Sequence, residues 1–454
     1  MINNNLLKLE KEYCSYGDTV HYNEPPKVFI ECEDSYMIDE NNKRYLDFQM
    51  GYSAANFGYK NQFFIDKMQN QLYKLPQIAP EYLHKEKILL AKEINDSIEK
   101  FTNTKGRIHF NVGGAQAIDD SLKLIAVNKG TRRVFAFEGS YHGRTIGASA
   151  ITSSYRYRSK FGNFSERAYF IPFPYLFRSP YPKDPQKAED YYVYQFERLF
   201  ESEYQSILNI RDNECEYVAF YMEPIQGTGG YIIPPKNYFK RIKKIMDEFN
   251  ILLVVDEIQM GFFRTGKMWA IEHFGVKPDI LVFGKSLTNG LNPLSGLWAK
   301  EELINPNKFP PGSTHSTFGS NPLGTACGLS TFEWIKNKNY EIEVPKKGEY
   351  LLKQLKELQK RYDVIGDVDG LGLALRIEMT YEDGKTPNKI LADEIKNEGL
   401  KGDIEYKNKQ YGLILDIGGY YKNVFTLAPN LDISYEEIDM FIELFERLLK
   451  RCVK

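Results

Sequence analysis

The sequence predicts an α/β fold with a mostly parallel central sheet, and two observations carry this prediction. Between about residues 83 and 290, apolar runs alternate with stretches of helical periodicity, as in sheets whose parallel strands are joined by helices. Three of these runs are almost continuously apolar, which is typical of strands buried on both faces. A charged residue ends each run, and ligands bind outside the carboxyl ends of strands in such sheets. The three runs are YVAFYME ending in Glu223, ILLVVDE stopping at Asp256 and DILVFGK ending in Lys285.

Other elements of this region follow from local pattern. Residues 107–124, RIHFNVGGAQAIDDSLKL, predict a strand, a Gly-Gly turn and a helix. Residues 133–145, RVFAFEGSYHGRT, predict a strand that runs into Tyr141 and His142. Between the first two charged strand ends, residues 235–250 carry apolar side chains at helical spacing and predict a crossover helix.

The two ends of the chain predict a second, smaller α+β domain. Residues 1–64 contain short alternating pieces such as KVFIECEDSYMID, which indicate strands. After residue 335 come a leucine-rich helix, the strand-like GLGLALRIEM and a closing helix, at whose start Ser434 and Glu437 match a capping box. We therefore expect a large domain over 65–335 and a small domain built from 1–64 and 336–454.

Composition excludes several classes of protein. The chain has 454 residues, enough for two domains, and a net charge of −2 without a basic stripe, which argues against a nucleic-acid partner. Its five cysteines are odd in number and contain no Cys-x-x-Cys, which favours free thiols in a reducing compartment. No run predicts a signal peptide or membrane span, and no His-Glu-x-x-His motif predicts a zinc site. We expect a cytoplasmic protein with no membrane segment and no metal.

The segment LVFGKSLTNG (281–290) has a lysine directly after a glycine at the end of a predicted strand. Two kinds of site use a Gly-Lys pair at such a position. One is the P-loop, but its first glycine would fall at Asp279 and the loop would overlap the apolar strand. The other is attachment of an aldehyde cofactor such as pyridoxal phosphate (PLP). A lysine that only caps the strand and points to water is the third alternative for Lys285.

The aldehyde cofactor makes further demands that the sequence can be checked against. It needs a carboxylate facing its pyridine nitrogen, and Asp256 ends a neighbouring buried strand. It needs backbone N–H groups for its phosphate, and Gly113 with Gly114 precede a predicted helix. It benefits from an aromatic face, which Tyr141 could supply. Taken alone, Asp256 could equally be a helix cap or a buried salt bridge, and Tyr141 could serve only for packing.

The stretch VVDEIQMGFFRTGKMWAIEHFGVKPDILVFGKSL strongly resembles the signature of class III PLP-dependent aminotransferases, which include ornithine, acetylornithine, 4-aminobutyrate and lysine 6-aminotransferases. YMEPIQGTGG, SYHGRT and STFGSNPLG resemble further blocks of the family. The resemblance implies PLP fold type I, transamination between an amine donor and a carbonyl acceptor, and a homodimer with active sites at its interface.

The resemblance also implies roles for individual residues near the cofactor ring. Lys285 falls on the Schiff-base lysine and Asp256 on the carboxylate that faces the pyridine nitrogen. Gln259 falls near the ring hydroxyl, and Glu223 on a glutamate behind the cofactor. His142, in the SYHGRT block, is expected among the cofactor-binding residues.

A second group of residues matches the phosphate site and the ring face. Gly114 and Ala115 fall on the phosphate-binding turn, and Tyr141 on the aromatic residue that stacks on the ring. Thr317, in STFGSNP, falls on the threonine that reaches the phosphate of the partner subunit across the dimer interface.

The sequence departs from the family at three positions. Gln116 stands where the phosphate turn usually continues with glutamate. Thr228 and Thr426 stand where many members have a glutamate and the arginine that binds the α-carboxylate of glutamate or 2-oxoglutarate. A hydroxyl cannot replace a bidentate guanidinium, so glutamate and 2-oxoglutarate are not expected to bind in the usual way.

Two residues remain as candidate contacts for a substrate carboxylate. Arg144 matches an arginine with that role in ornithine- and acetylornithine-type enzymes, and Tyr52 matches a tyrosine with that role in the ornithine enzyme, although each could be purely structural. PLP-dependent racemases, aminomutases and decarboxylases share the fold and are the alternative to an aminotransferase. A non-catalytic or P-loop nucleotide-binding protein is the alternative outside PLP chemistry.

Overall fold

The computed structural model describes residues 4–15, 17, 25–131, 133–159, 161, 168–205, 207–209, 211–212 and 214–453. The strands of these residues are β1 (Phe29–Glu33), β2 (Tyr36–Asp39), β3 (Arg44–Asp47), β4 (Gly106–Asn111), β5 (Val134–Phe137), β6 (Tyr169–Ile171), β7 (Leu208–Asn209), β8 (Glu214–Cys215), β9 (Ala219–Met222), β10 (Leu252–Asp256), β11 (Ile280–Phe283), β12 (Ser295–Lys300), β13 (Ile365–Leu371), β14 (Ala374–Met379), β15 (Ile404–Tyr406), β16 (Lys409–Ile414), β17 (Asp416–Gly418) and β18 (Val424–Leu427).

The helices alternate with these strands over most of the chain. The α-helices of the same residues are α1 (Asn4–Tyr13), α2 (Met50–Ser53), α3 (Gln62–Lys74), α4 (Lys85–Thr102), α5 (Gly114–Lys129), α6 (Ile146–Ala150), α7 (Pro185–Glu197), α8 (Tyr238–Glu248), α9 (Glu301–Ile304), α10 (Pro322–Lys336), α11 (Tyr340–Arg361), α12 (Lys389–Gly399) and α13 (Tyr435–Cys452). Short 3₁₀ turns cover Tyr155–Tyr157, Arg198–Phe200, Glu203–Gln205, Ala270–Phe274 and Lys285–Thr288.

The central sheet has seven strands in the order β4-β12-β11-β10-β9-β5-β6. β10 pairs in parallel with both β9 and β11, whereas β12 runs antiparallel to β11 and β4. The predicted α/β fold with a mostly parallel central sheet is therefore confirmed. Because β9, β10 and β11 are parallel neighbours, the charged residues at their carboxyl ends meet at one edge of the sheet.

Side chains that alternate along these strands fill two separate cores. Leu253 and Val255 of β10 pack in the core that contains Ile242 and Met246 of α8. Val254, between them, packs in the core that contains α5 residues such as Ile118. The two helices therefore cover opposite faces of the sheet, which explains why the strand sequences are apolar at every position.

The two ends of the chain are joined in further sheets. A five-stranded sheet has the order β1-β2-β3-β16-β15, with β3 and β16 parallel, and a four-stranded sheet has the order β13-β14-β18-β17. At the start of α13 the capping box of Ser434 and Glu437 is formed, and Phe441 of that helix stacks on Phe48 at a centroid distance of 3.8 Å. The domain boundaries at 64/65 and 335/336 stay predictions.

One local expectation was wrong. GLGLALRIEM does not form a single strand, because it turns back at Gly372 between β13 and β14. Gly372 has a φ of +58°, and a side chain there would collide with the backbone of Thr265. None of the helices in the described residues combines the length and apolar character needed to cross a membrane.

Candidate active site

Lys285 occupies a strained turn at the end of β11. Its φ is +43°, a left-handed conformation that costs a residue with a side chain about 1–2 kcal/mol. Such strain persists where the surrounding structure requires it, and it is concentrated at functional sites. The side chain is largely withdrawn from solvent, and burial lowers the pKa of Lys285. The charges of Asp256, Glu223 and Asp416 oppose this lowering.

Asp256 ends β10 and is fixed by two hydrogen bonds. Its Oδ1 accepts from the backbone N–H of Ile258 at 3.0 Å, and its Oδ2 lies 2.8 Å from Nδ1 of His142. Burial is the largest single effect and lowers the pKa of His142, but the hydrogen bond to Asp256, the charge of Asp256 and the charge of Glu223 together outweigh it, and the pKa is raised. The contact with His142 fixes the orientation of the Asp256 carboxylate. Among the described residues, nothing hydrogen-bonds to Nε2 of the same ring.

Glu223 follows β9 and is buried beside this pair. It accepts from the backbone N–H groups of Gly227 at 3.1 Å and Tyr141 at 3.3 Å. Burial raises the pKa of Glu223 to about 7, with the charge of His142 opposing and that of Asp256 adding to the rise. A proton can therefore be gained or lost here near neutral pH.

The amino end of α5 points toward the same edge of the sheet. The first N–H groups of a helix have no intrahelical partner and attract anions, and here they belong to Gly114 and Ala115. A Cβ on Gly113 would meet nothing within 4 Å, so the space before the helix is open. Oε1 of Gln116 accepts from the backbone N–H of Val112 at 3.2 Å. A glutamate could accept the same bond, so Gln116 preserves the turn.

Close packing fixes this helix end to the other parts of the site. A Cβ on Gly114 would lie 2.7 Å from Ile258, two residues after Asp256. A Cβ on Gly143 would lie 2.5 Å from the side chain of Ala115. The loop after Asp256 and the turn that carries His142 are thus both in contact with the start of α5.

Tyr141 and Arg144 both contact the ring of Tyr157. The rings of Tyr141 and Tyr157 meet edge-on with centroids 5.4 Å apart. The Arg144 guanidinium lies 4.5 Å from the centroid of the same Tyr157 ring and is exposed. Burial raises the pKa of Tyr141, and the charge of Arg144 opposes the rise.

Tyr52 projects from an unusual left-handed turn. Met50, Gly51, Tyr52 and Ser53 all have positive φ, between +45° and +63°. Asp47 stabilises the turn because its Oδ1 accepts from the backbone N–H of Met50 at 3.0 Å and from the residue before it at 2.7 Å. Tyr52 is 45% exposed and available to a ligand.

Gln259 and Tyr231 form a short hydrogen-bonded chain behind this turn. Nε2 of Gln259 donates to the Tyr231 hydroxyl at 3.0 Å, and that hydroxyl lies 3.3 Å from Oγ of Ser53. A Cβ on Gly227 would lie 2.3 Å from Oε1 of Gln259. This close approach explains why the turn after Glu223 contains glycine.

The two threonines that depart from the family pattern are in different environments. Thr426 is buried in β18, and its hydroxyl donates to Oδ2 of Asp416 at 2.8 Å. Thr228 uses its backbone carbonyl to accept from the N–H of Gly419 at 3.0 Å. Both residues therefore lie around β17, the strand that begins with Asp416.

Thr317 lies on the surface, apart from these contacts. Its carbonyl accepts from Nε2 of Gln77 at 3.0 Å. This places it beside a strongly exposed apolar surface, in which Leu83 is 83% and Tyr73 is 89% exposed. The exposed apolar residues of the neighbouring segments are Leu72, Tyr73, Tyr82, Leu83 and Phe318.

Two residues were missed by sequence reasoning. Tyr231 carried no motif. Asp416 directly follows the apolar run YGLIL, the same signal that revealed Asp256, but it lies far along the chain from the signature. The fold brings it to the site because β17 pairs with β18.

Fold and site together define a PLP-dependent enzyme of fold type I. The strand-end lysine, the carboxylate on the neighbouring strand and the helix amino end next to open space meet the three demands of that cofactor. The chain belongs to the class-III aminotransferases, whose family profile matches residues 19–449. It is therefore an enzyme, a PLP-dependent aminotransferase. The described residues contain no cluster of three or more His, Cys, Asp or Glu side chains arranged to hold a metal.

The curated proteins that are similar to this chain in sequence include both racemases and aminotransferases. The chain is 32% identical to a leucine/methionine racemase from Thermococcus litoralis, with 93% of this chain and 90% of the relative covered. It is 30% identical to an alanine/serine racemase from Pyrococcus horikoshii, covering 91% and 84%. It is 28% identical to an acetylornithine aminotransferase from Caldanaerobacter subterraneus subsp. tengcongensis, covering 98% and 99%. A solved aminotransferase from Bacillus anthracis superposes with a TM-score of 0.85 at 26% identity, covering 99% and 98%.

Proposed function

We propose that Lys285 attaches the cofactor and then carries the proton in a transamination. Its lowered pKa favours the neutral amine, which is the form that can take a proton. Nζ would remove the proton from the substrate carbon that bears the amino group and deliver it to the cofactor carbon. The observation that carries the proposal is the position of Lys285 and Asp256 at the ends of two neighbouring parallel strands.

The cofactor supplies an electron sink when it is bound. Asp256 would face the pyridine nitrogen and keep it protonated, because an ionised carboxylate next to that nitrogen favours its cationic form. His142 supports this role by holding the Asp256 carboxylate in place through the 2.8 Å contact. Gln259 would lie near the ring hydroxyl, and Glu223 behind the ring.

The phosphate and the ring face would be held by other residues. The N–H groups of Gly114 and Ala115 are proposed to bind the phosphate, supported by the open space before α5. Tyr141 would stack on the ring. Tyr52 and Arg144 would bind the substrate carboxylate, supported by their exposure in the structure.

We further propose a homodimer in which Thr317 completes the phosphate site of the partner. The exposed apolar surface beside Thr317 supports this, because monomers rarely leave such a surface in water. All five cysteines lie in described residues and are free thiols. This supports the cytoplasm as the location of the enzyme.

A racemase is the second candidate, and two observations favour it. Two relatives are racemases, and Thr426 replaces the arginine that would hold a dicarboxylic partner. In this reaction Lys285 would remove the proton on one face of the substrate carbon, and a second proton donor would protonate the same carbon on the opposite face. Neither a keto product nor a carbonyl acceptor is then involved.

A half-reaction without acceptor distinguishes the two candidates. Purified enzyme is incubated with single amino donors, and both keto product and enantiomer are measured. The proposal expects about one equivalent of keto product per active site, which ends when every cofactor has accepted an amino group. Continuous formation of the enantiomer without keto product would instead establish the racemase.

A further inference from the structure

The turn that presents Lys285 has a left-handed residue at each end. Lys285 opens the 3₁₀ turn Lys285–Thr288 with a φ of +43°, and Asn289 follows it with a φ of +47°. The N–H of Asn289 donates to the carbonyl of Ser286 at 3.1 Å, so Asn289 closes the turn. Asparagine adopts this conformation more readily than lysine does. The strained residue is therefore the lysine, and it needs support from groups outside the turn.

The side chain of Asn289 connects this turn to a distant part of the chain. It is 5% exposed. Its Oδ1 accepts from the backbone N–H of Phe57 at 3.0 Å, and its Nδ2 donates to the backbone carbonyl of Gly58 at 2.9 Å. Because both ends of the amide are bonded to adjacent backbone groups, the side chain has one orientation. The two bonds therefore tie the end of the lysine turn to a segment 231 and 232 positions earlier.

The segment that receives these bonds is itself firmly held. Asn56, the residue before it, accepts at Oδ1 from the fully buried guanidinium of Arg264. The backbone carbonyl of Asn56 accepts from the N–H of Leu431 at 2.8 Å. Just before Asn56 lies the left-handed turn that carries Tyr52. The bonds of Asn289 thus fix the lysine turn relative to a rigid segment on the Tyr52 side of the site.

We propose that Asn289 is a positioning residue, which holds the amine of Lys285 in the orientation that takes the proton from the substrate. It acts by fixing the lysine turn against the segment of Tyr52, the residue proposed to bind the substrate carboxylate. Misplacing a reacting group by about 1 Å can cost about 100-fold in rate, so such a connection matters for the chemistry. The inference rests on the proposed function, since it assumes that Lys285 carries the proton.

A purely structural role for Asn289 would be to stabilise residues 57–58 without affecting the chemistry. Asn61 provides the matched comparison, because its Nδ2 donates to the backbone carbonyl of Phe57 at 2.9 Å. Asn61 lies four residues after Phe57 and holds the same segment locally. Asn61→Ala therefore weakens the segment, whereas Asn289→Gly also releases the lysine turn.

The first measurement is hydrogen–deuterium exchange of the purified enzyme before any donor is added. Asn289→Gly keeps a residue that tolerates positive φ but removes both bonds. It should raise deuterium uptake in peptides from both segments, residues 57–58 and 285–289, because local opening becomes easier in each. Asn61→Ala should raise uptake in residues 57–58 alone.

The second measurement follows exchange of the donor α-proton with deuterated water by NMR, because both transamination and racemisation remove this proton. L-alanine, L-leucine and L-ornithine are the donors, and rates are expressed per cofactor-loaded site so that unfolded protein does not contribute. Asn289→Gly should lower kcat about 10- to 100-fold and leave the donor KM nearly unchanged, since the lost support acts on the reaction and not on binding. Asn61→Ala should keep a kcat close to that of the parent.

A further variant keeps the test decisive if Asn289→Gly does not fold. Asn289→Asp can still accept from the N–H of Phe57 but cannot donate to the carbonyl of Gly58, so its kcat should lie between those of the parent and Asn289→Gly. An unchanged kcat in the Asn289 variants, a loss confined to KM, or an equal loss in Asn61→Ala would overturn the inference. If the parent exchanges the α-proton of none of the three donors, the proposed function fails instead.

Discussion

Single side chains set the chemistry of this site. Among them, Asp256 is the carboxylate whose burial most requires a partner. Its carboxylate is only 5% exposed, and an ion so buried is costly unless it is paired. His142 is its partner within the protein, and the pyridine nitrogen would be the second. Glu257, the next residue, faces away and accepts from the backbone N–H of Ile271 at 2.8 Å.

Asp256→Asn should lower the rate of the half-reaction about 100- to 1,000-fold, the usual cost of losing one preorganised electrostatic contact in a site closed to water. The amide keeps the shape of the carboxylate but cannot stabilise a protonated ring nitrogen. Glu257→Gln, a matched change one residue later, should retain most activity. Stopped-flow rates with a saturating donor test both variants, and an Asp256→Asn rate within tenfold of the parent would contradict the assigned role.

The sequence predicted Lys285 and Asp256 because each ends an apolar run. It could not predict the bond between His142 and Asp256, since these residues are 114 positions apart and meet only when β5 and β10 enter one sheet. Asp416 was missed for the same reason. Its motif is local, but the effect of its charge on the pKa of Lys285 depends on how the sheet of β17 packs.

At the scale of elements, the loop after β10 is tied to the 3₁₀ turn at Ala270–Phe274 through Glu257. Burial raises the pKa of Glu257 to about 8, and the backbone N–H groups of Ile271 and Ala270 only partly oppose the rise. In the described residues, nothing hydrogen-bonds to its Oε2. The folded protein therefore binds a proton here that the unfolded chain releases at lower pH.

This proton makes stability depend on pH. The contribution of Glu257 is fully present below its unfolded pKa near 4.5 and is lost as pH rises through its folded pKa of about 8. Relative to Glu257→Gln, the free energy of unfolding of the parent should fall by about 1 kcal/mol per pH unit within that window. Urea denaturation of both proteins at about pH 5, 6.5 and 8 measures the difference. A difference that stays constant with pH would refute the buried proton.

The strands of the central sheet and the capping box of α13 could be predicted because local pattern determines them. The left-handed turn at Met50–Ser53 could not. Methionine, tyrosine and serine do not favour positive φ, and the turn exists because Asp47 binds its N–H groups.

At the scale of the whole molecule, segments from the two ends of the chain pair in one sheet. Strand β3 from the beginning pairs in parallel with β16 from near the end. The sequence predicted this union from short alternating pieces in residues 1–64 and from the helices and strand-like run after residue 335, but the resulting surface could not be predicted. The exposed apolar side chains around Thr317 come from segments more than 200 residues apart, as the contact of Gln77 with Thr317 shows.

Mixed dimers test whether Thr317 acts across the interface. Thr317→Ala and Lys285→Ala homodimers should each be strongly impaired, because one lacks a phosphate contact and the other lacks the attaching amine. In a mixed dimer of the two, one site would hold both intact residues if Thr317 comes from the partner. Differently tagged subunits, purified as the mixed species, should then recover up to half of the parent activity. If Thr317 served its own subunit, mixing would restore nothing.

The attachment of the cofactor to Lys285 is the central claim, and covalent trapping tests it most directly. The holoenzyme is reduced with borohydride, which makes the bond between amine and cofactor permanent, and the digested protein is mapped by mass spectrometry. We predict a single labelled peptide, with the label on Lys285 and none in Lys285→Ala. A label on any other lysine, or equal labelling of the variant, would contradict the account.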